Sequence, residues 1–221
     1  AQGGSTGGSR GGETFDLQNR AKVSELIANT IPYSILLAAL AILFTVLISF
    51  PIGFVAGVYS GKWPDRLSLY VSSVLVSLPN VWLGIVLILL LSAWGGILPA
   101  IGYNGPSYAI LPALVLAIEL APVMIRSIAV SVANSLQENY VSVGEVRGLK
   151  RRRMITHHVL RNASIPLLNL FGIQVIGMLL GSLFVVEYIF NYPGVGLLMI
   201  NAVFQRDFPI IQAIAMLSSA V

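Results

Sequence analysis

From Leu26 to Gly61 the chain contains no Asp, Glu, Lys or Arg, and that property alone excludes most folds that live in water. A helix crossing a hydrocarbon core needs roughly 20 apolar residues. The part from about 35 to 58 supplies them. The whole chain repeats the bias, with 56% hydrophobic and 10% charged residues over 221 positions, too few polar groups to cover a globular surface. The predicted class is therefore an all-α, polytopic transmembrane helix bundle. Spans are expected at about 35–58, 67–94, 110–130 and 162–186, with a partial one at 208–221 that is too short to cross.

The polar segments between these runs are informative by their charge. Six of the 13 Lys and Arg (Arg147, Lys150, Arg151, Arg152, Arg153, Arg161) fall between 137 and 168, and Lys62 and Arg66 share another loop. Positive charge beside apolar runs marks the cytoplasmic side, so a cytoplasmic loop is expected at about 131–161. The loop 95–109 is rich in Gly and Pro and has no Lys or Arg, which assigns it to the outside. Strict alternation then leaves the amino terminus outside despite Arg10, Arg20 and Lys22, suggesting that an upstream span precedes it.

Residues 1–12 read as a flexible Gly-rich lead, ahead of a membrane domain at 13–221 that opens with a short interfacial helix over 13–30. Pro51 and Gly53 predict a kink in the first span, and Pro79-Asn80 a bend in the second. Gly172, Gly177 and Gly181 are small-residue positions for close helix contact. The loop itself reads as two short helices: Gln137 to Arg147, stopped at Gly148, and Arg151 to Asn162, stopped before Pro166.

Chemistry-bearing residues are few. The chain has no Cys, which excludes disulfides and Cys-ligated metal, and no G-x-x-x-x-G-K-[ST] phosphate loop. His157 and His158 are adjacent, about 100° apart on a helix, and cannot chelate one metal together. Glu119 is the acid placed inside a span, where a charge is costly unless it meets water or a partner. Two readings stand for it. Either it faces a cavity and contacts an amine or cation, as a translocation-path residue together with Asn80, or it stays protonated or pairs with Arg126 on the same helix face. Asn191-Tyr192-Pro193-Gly194 breaks the fourth span, and Gly194-Val195-Gly196 reads as a re-entrant turn closing the outer mouth.

The segment ENYVSVGEVRGLKRRRMITHHVLRNASIPLL at 138–168 resembles the cytoplasmic coupling loop of permease subunits of bacterial ABC importers, in the dipeptide, oligopeptide and nickel branch. SLPNVWLG at 77–84, FNYPGVGLL at 190–198 and RDFPIIQA at 206–213 resemble further elements of that family, in order. Val143, Gly144 and Val146 stand where the family usually has small alanines, and Glu145 where a basic residue is common. Relative to the family the chain lacks the first span and most of the last.

The resemblance implies a multi-pass subunit of a bacterial or archaeal inner membrane that hydrolyses nothing itself. It implies that Tyr140, Val141, Gly144, Glu145, Arg147, Gly148, Leu149 and Arg151 couple to a cytoplasmic ATPase, and that Asn191, Pro193, Gly194 and Gly196 belong to an outer gate. It also implies a second homologous permease, two ATPases carrying ATP and Mg²⁺, and an extracytoplasmic solute-binding protein. Short peptides or a related solute would be the cargo. The competing reading from another class is a gradient-driven secondary transporter or channel using Glu119 as its proton or cation site.

Overall fold

A computed structural model describes residues 10–138 and 160–219, with side chains at 23–79, 81–138 and 167–219. Every regular element among the described residues is helical. The first, α1, runs from Arg10 to Val58, 49 residues, and its portion Val23–Val58 is long and apolar enough to cross a membrane. It corrects two expectations: residues 10–12 are helical and not part of a flexible lead, and no separate interfacial helix precedes the span. Pro32 and Pro51 both lie inside this one helix.

The absence of a boundary near residue 30 has a local cause. Thr30 is the residue that could cap a new helix before Pro32, but its hydroxyl donates backwards to the Ile27 carbonyl at 3.0 Å. Further along, Thr45 donates to the Ala41 carbonyl at 2.7 Å and Ser49 to the Thr45 carbonyl at 2.6 Å. Back-bonding of this kind lets hydroxyls lie inside an apolar bundle with their donors satisfied.

A tight turn follows. Gly61 takes φ +75°, a conformation that a Cβ would strain, and its N–H donates to Asp65 Oδ2 at 2.8 Å. Helix α2 (Trp63–Val76) begins there with Pro64 in its first turn. The exposed rings of Tyr59, Trp63 and Tyr70 suit the interfacial anchoring expected of amphipathic aromatics. Pro79 then caps α3 (Asn80–Leu87), which continues as a π-helix over Ile88–Trp94. The two halves, Trp63–Val76 and Val81–Trp94, meet at 104°, so the Pro79-Asn80 pair does bend this segment.

Helix α4 (Ile110–Leu136) is the centre of the bundle: 67% of its most apolar window is buried, against 28% for α1. It outruns the expected span, taking residues 131–136 from the predicted loop. Helix α5 (Leu160–Gly177) passes through Pro166, where a stop was expected. A proline inside a helix removes one backbone bond, and a membrane bundle tolerates that loss. A π-helical turn, Met178–Ser182, joins α5 to α6 (Leu183–Ile189). Two short apolar helices close the described chain, α7 (Val195–Gln205) and α8 (Phe208–Ser219).

Close helix approach occurs elsewhere than expected. Around Gly172, Gly177 and Gly181 a Cβ would meet nothing within 4 Å, so these glycines pack no neighbour among the described residues. On α1, by contrast, a Cβ at Gly53 would stand 2.7 Å from the Ile125 carbonyl oxygen and 2.8 Å from the Ile128 Cβ. At Gly57 it would stand 2.7 Å from both the Ala129 carbonyl oxygen and the Val132 Cβ. Gly53-x-x-x-Gly57 is thus the contact line between α1 and α4, the small-xxx-small pattern that lets two backbones approach in an apolar medium.

Candidate functional site

The break after α6 is built around one carboxylate. The backbone turns because Asn191 takes φ +48°, a left-handed conformation that Asn tolerates better than most residues. The Tyr192 N–H then donates to the Glu187 carbonyl at 2.8 Å, and Gly194 caps α7. This folds the start of α7 back over the Glu187 side chain, which is fully buried.

Both carboxylate oxygens of Glu187 are occupied. Ser34 Oγ on α1 donates to Oε1 at 2.5 Å. The Gly196 N–H donates to Oε2 at 2.6 Å and the Leu197 N–H reaches the same oxygen at 3.4 Å. Ser34 Oγ in turn accepts the Val195 N–H at 2.8 Å. Three orphan donors of the first turn of α7 are therefore satisfied by two side chains from elsewhere in the fold, and the acid lies at the positive end of the helix. The result ties α1, α6 and α7 together at one point.

The glycines explain why the arrangement needs this sequence. A Cβ at Gly194 would overlap the Glu187 carboxylate, and one at Gly196 would overlap the Phe184 Cα and stand 2.9 Å from Glu187 Oε2. Gly196→Ala should therefore displace the turn rather than be absorbed by a side chain, at a cost of about 1–3 kcal/mol. A fall of roughly 2–4 °C in melting temperature per kcal/mol would be read in detergent; an unchanged melting temperature would contradict the packing described here.

Beside this latch three tyrosines pack edge to face. Tyr33 of α1 and Tyr103 of the 95–109 loop lie 5.0 Å apart, Tyr103 and Tyr192 5.5 Å, and Tyr33 and Tyr192 6.3 Å. The Gly102 N–H bonds the Phe190 carbonyl at 2.9 Å, fastening the same loop to the same turn. Burial pushes the Tyr192 phenol up from its ordinary pKa, so it remains neutral.

Of the residues singled out from the sequence, Asn191, Pro193, Gly194 and Gly196 thus share one turn. Glu187 and Ser34, which hold it, were missed, because Glu187 stands one residue beyond the boundary drawn for the fourth span. The available signal was an acid followed within nine residues by Gly-Val-Gly. Glu119 lies elsewhere, on α4. Its Oε1 accepts the Ser182 hydroxyl at 2.5 Å, and the expected pairing with Arg126 is not formed. Arg126 Nη1 instead bonds Asp65 Oδ1 at 2.8 Å, because the packing of α2 on α4 brings the carboxylate of its first turn against that helix. Asn80 is the first residue of α3, at the 104° bend. Tyr140, Val141, Gly144, Glu145, Arg147, Gly148, Leu149 and Arg151 lie outside the described residues, as do His157 and His158. Among the described residues, no group of His, Asp and Glu could hold a metal ion.

Comparison with known proteins agrees with this architecture. The glutathione transport system permease protein GsiC of Salmonella paratyphi A is 36% identical over 201 residues, covering 91% of this chain and 65% of that protein. Its namesake in Escherichia coli K12 is 35% identical over 205 residues, covering 93% of this chain and 67% of that protein. The chain thus spans about two thirds of the length of the curated relatives it matches. Residues 49–221 match the model of the binding-protein-dependent transport system inner membrane components, and the chain belongs to that family.

Proposed function

We propose that this chain is a permease subunit of an ATP-driven importer for short peptides or a related solute. The observation that carries the reading is its likeness to the GsiC proteins over more than nine tenths of the chain, supported by a helix-spanning architecture with an irregular, glycine-dependent turn. In this reading it works with a second homologous permease, two cytoplasmic ATPases and a solute-binding protein, and contributes part of the translocation path. The relatives' cargo makes glutathione, a tripeptide thiol, the first solute to test.

The chain has no phosphate loop of its own, so ATP and Mg²⁺ belong to the ATPase partners. Tyr140, Val141, Gly144, Glu145, Arg147, Gly148, Leu149 and Arg151 are the residues that would dock the ATPase, with Gly148 as the corner where a partner's backbone approaches closely. Asn191, Pro193, Gly194 and Gly196 would form the outer gate, held shut or open as one body by Glu187. Asn80, at the bend between α2 and α3, would line the path.

Gly148→Asp adds bulk and charge at that corner. The full-length protein carrying it should still insert in the membrane but lose co-purification with a phosphate-loop ATPase by at least about tenfold, the equivalent of roughly 1.4 kcal/mol. Recovery of the ATPase at the wild-type level would remove the docking role. Solute uptake driven by an ion gradient, with no ATPase recovered from the wild-type protein, would favour the secondary-transporter reading.

A further inference from the structure

We propose that Glu119 and the cavity it lines bind the protonated amino terminus of the transported peptide, an assignment that rests on the importer function proposed above. The cavity, about 370 Å³, lies between the end of α2, the middle of α4 and the π-helical turn after α5. Leu78, Leu120 and Met178 form apolar wall, and Glu119, Gln174 and Ser182 are its polar groups. Its volume is near the lower end of small-ligand sites, enough for an amino-terminal residue.

The chemistry of the site is set by what Glu119 has and lacks. Oε1 is held by the Ser182 hydroxyl at 2.5 Å. Oε2 is buried and accepts no hydrogen bond from the described residues. A buried acceptor without a donor is unfavourable, and an acid inside a span is retained where it meets a partner. Arg126, the cation on the same helix, is engaged with Asp65 and cannot supply that partner.

An ammonium group entering the cavity would pair with Glu119 once the carboxylate turns Oε2, shielded in this structure, toward it. It brings positive charge and several donors to one small volume, and the Gln174 amide offers another acceptor on the α5 wall. Ser182 is brought to Glu119 at the end of the π-helical turn Met178–Ser182, a local widening that recurs at functional sites. Gly177 leaves the cavity edge clear, since nothing lies within 4 Å of its Cβ position.

The test uses the full-length transporter, with its ATPases and binding protein, in proteoliposomes. ATP-dependent uptake of radiolabelled trialanine and of N-acetyl-trialanine is measured for wild type and E119Q. Because the binding protein is common to both, the comparison isolates coupling between Glu119 and the amine. E119Q should lower trialanine uptake at least about tenfold and N-acetyl-trialanine uptake less than about twofold, with ATP hydrolysis within about twofold of wild type. Equal effects on the two peptides, or no effect on either, would overturn the assignment.

Should E119Q fail to assemble, Ser182→Ala carries the same test. It removes the hydroxyl that positions the carboxylate, and should lower trialanine uptake about threefold without touching the acetylated peptide. Equal loss of both would again overturn the assignment. If the wild-type protein shows no ATP-dependent uptake of any peptide, the importer reading falls and the amine site with it. Intact wild-type uptake that is indifferent to Glu119 removes the amine site alone.

Discussion

Glu187→Ala should abolish transport and lower the melting temperature of the full-length protein in detergent by roughly 6–12 °C, taking about 3 kcal/mol at 2–4 °C per kcal/mol for a protein of this size. The energy follows from what the substitution strands. The Gly196 N–H at 2.6 Å and the Ser34 hydroxyl at 2.5 Å both lose an acceptor at a site closed to water. A buried donor left without its acceptor costs about 1–3 kcal/mol.

The functional loss comes from position, since Glu187 joins α1 to the α6–α7 turn. Without it the turn would no longer move with α1. Glu187→Gln separates the two effects. Its amide keeps one acceptor oxygen but faces the other donors with an NH₂ group, so its stability should fall between wild type and alanine. Wild-type uptake and stability in Glu187→Ala would show that the buried network holds nothing together.

Gly57→Leu should prevent accumulation of folded protein, and Gly57→Ala should cost about 1–3 kcal/mol. At Gly57 the obstruction is the Ala129 carbonyl oxygen and the Val132 Cβ, each 2.7 Å from the Cβ position. Ala129 and Val132 are buried in α4, the helix around which the others are arranged, so neither can retreat without shifting backbone. The same substitution at Gly177, where nothing lies within 4 Å, should leave folding of the chain unchanged. Fluorescence-detected size exclusion of the two full-length variants gives the comparison. Equal monodispersity in Gly57→Leu and Gly177→Leu would refute the α1–α4 contact line.

The contrast between these glycines shows what a sequence can and cannot specify. Gly177 and Gly181 and the pair Gly53 and Gly57 look alike on paper, since each pair is four residues apart in an apolar run. Among the described residues only the second pair meets a neighbour, because a glycine's role depends on which helix lies opposite. The same holds for charge. Seven residues place Glu119 and Arg126 on one face of α4, but Arg126 turns to Asp65, a carboxylate delivered by a turn distant in sequence.

The amino-acid sequence alone determined the medium in which this protein folds, its all-helical class, the bend at Pro79-Asn80 and the break at Asn191–Gly194. Each of these follows from apolar run length or from local backbone chemistry, which neighbouring residues suffice to encode. Tertiary structure decided the rest: the α1–α4 contact at Gly53 and Gly57, and the partners of Glu119 and Glu187. Those features depend on groups far apart in the chain, such as Ser34 and Glu187, whose meeting at 2.5 Å is fixed by the packing of whole helices and has no local signature.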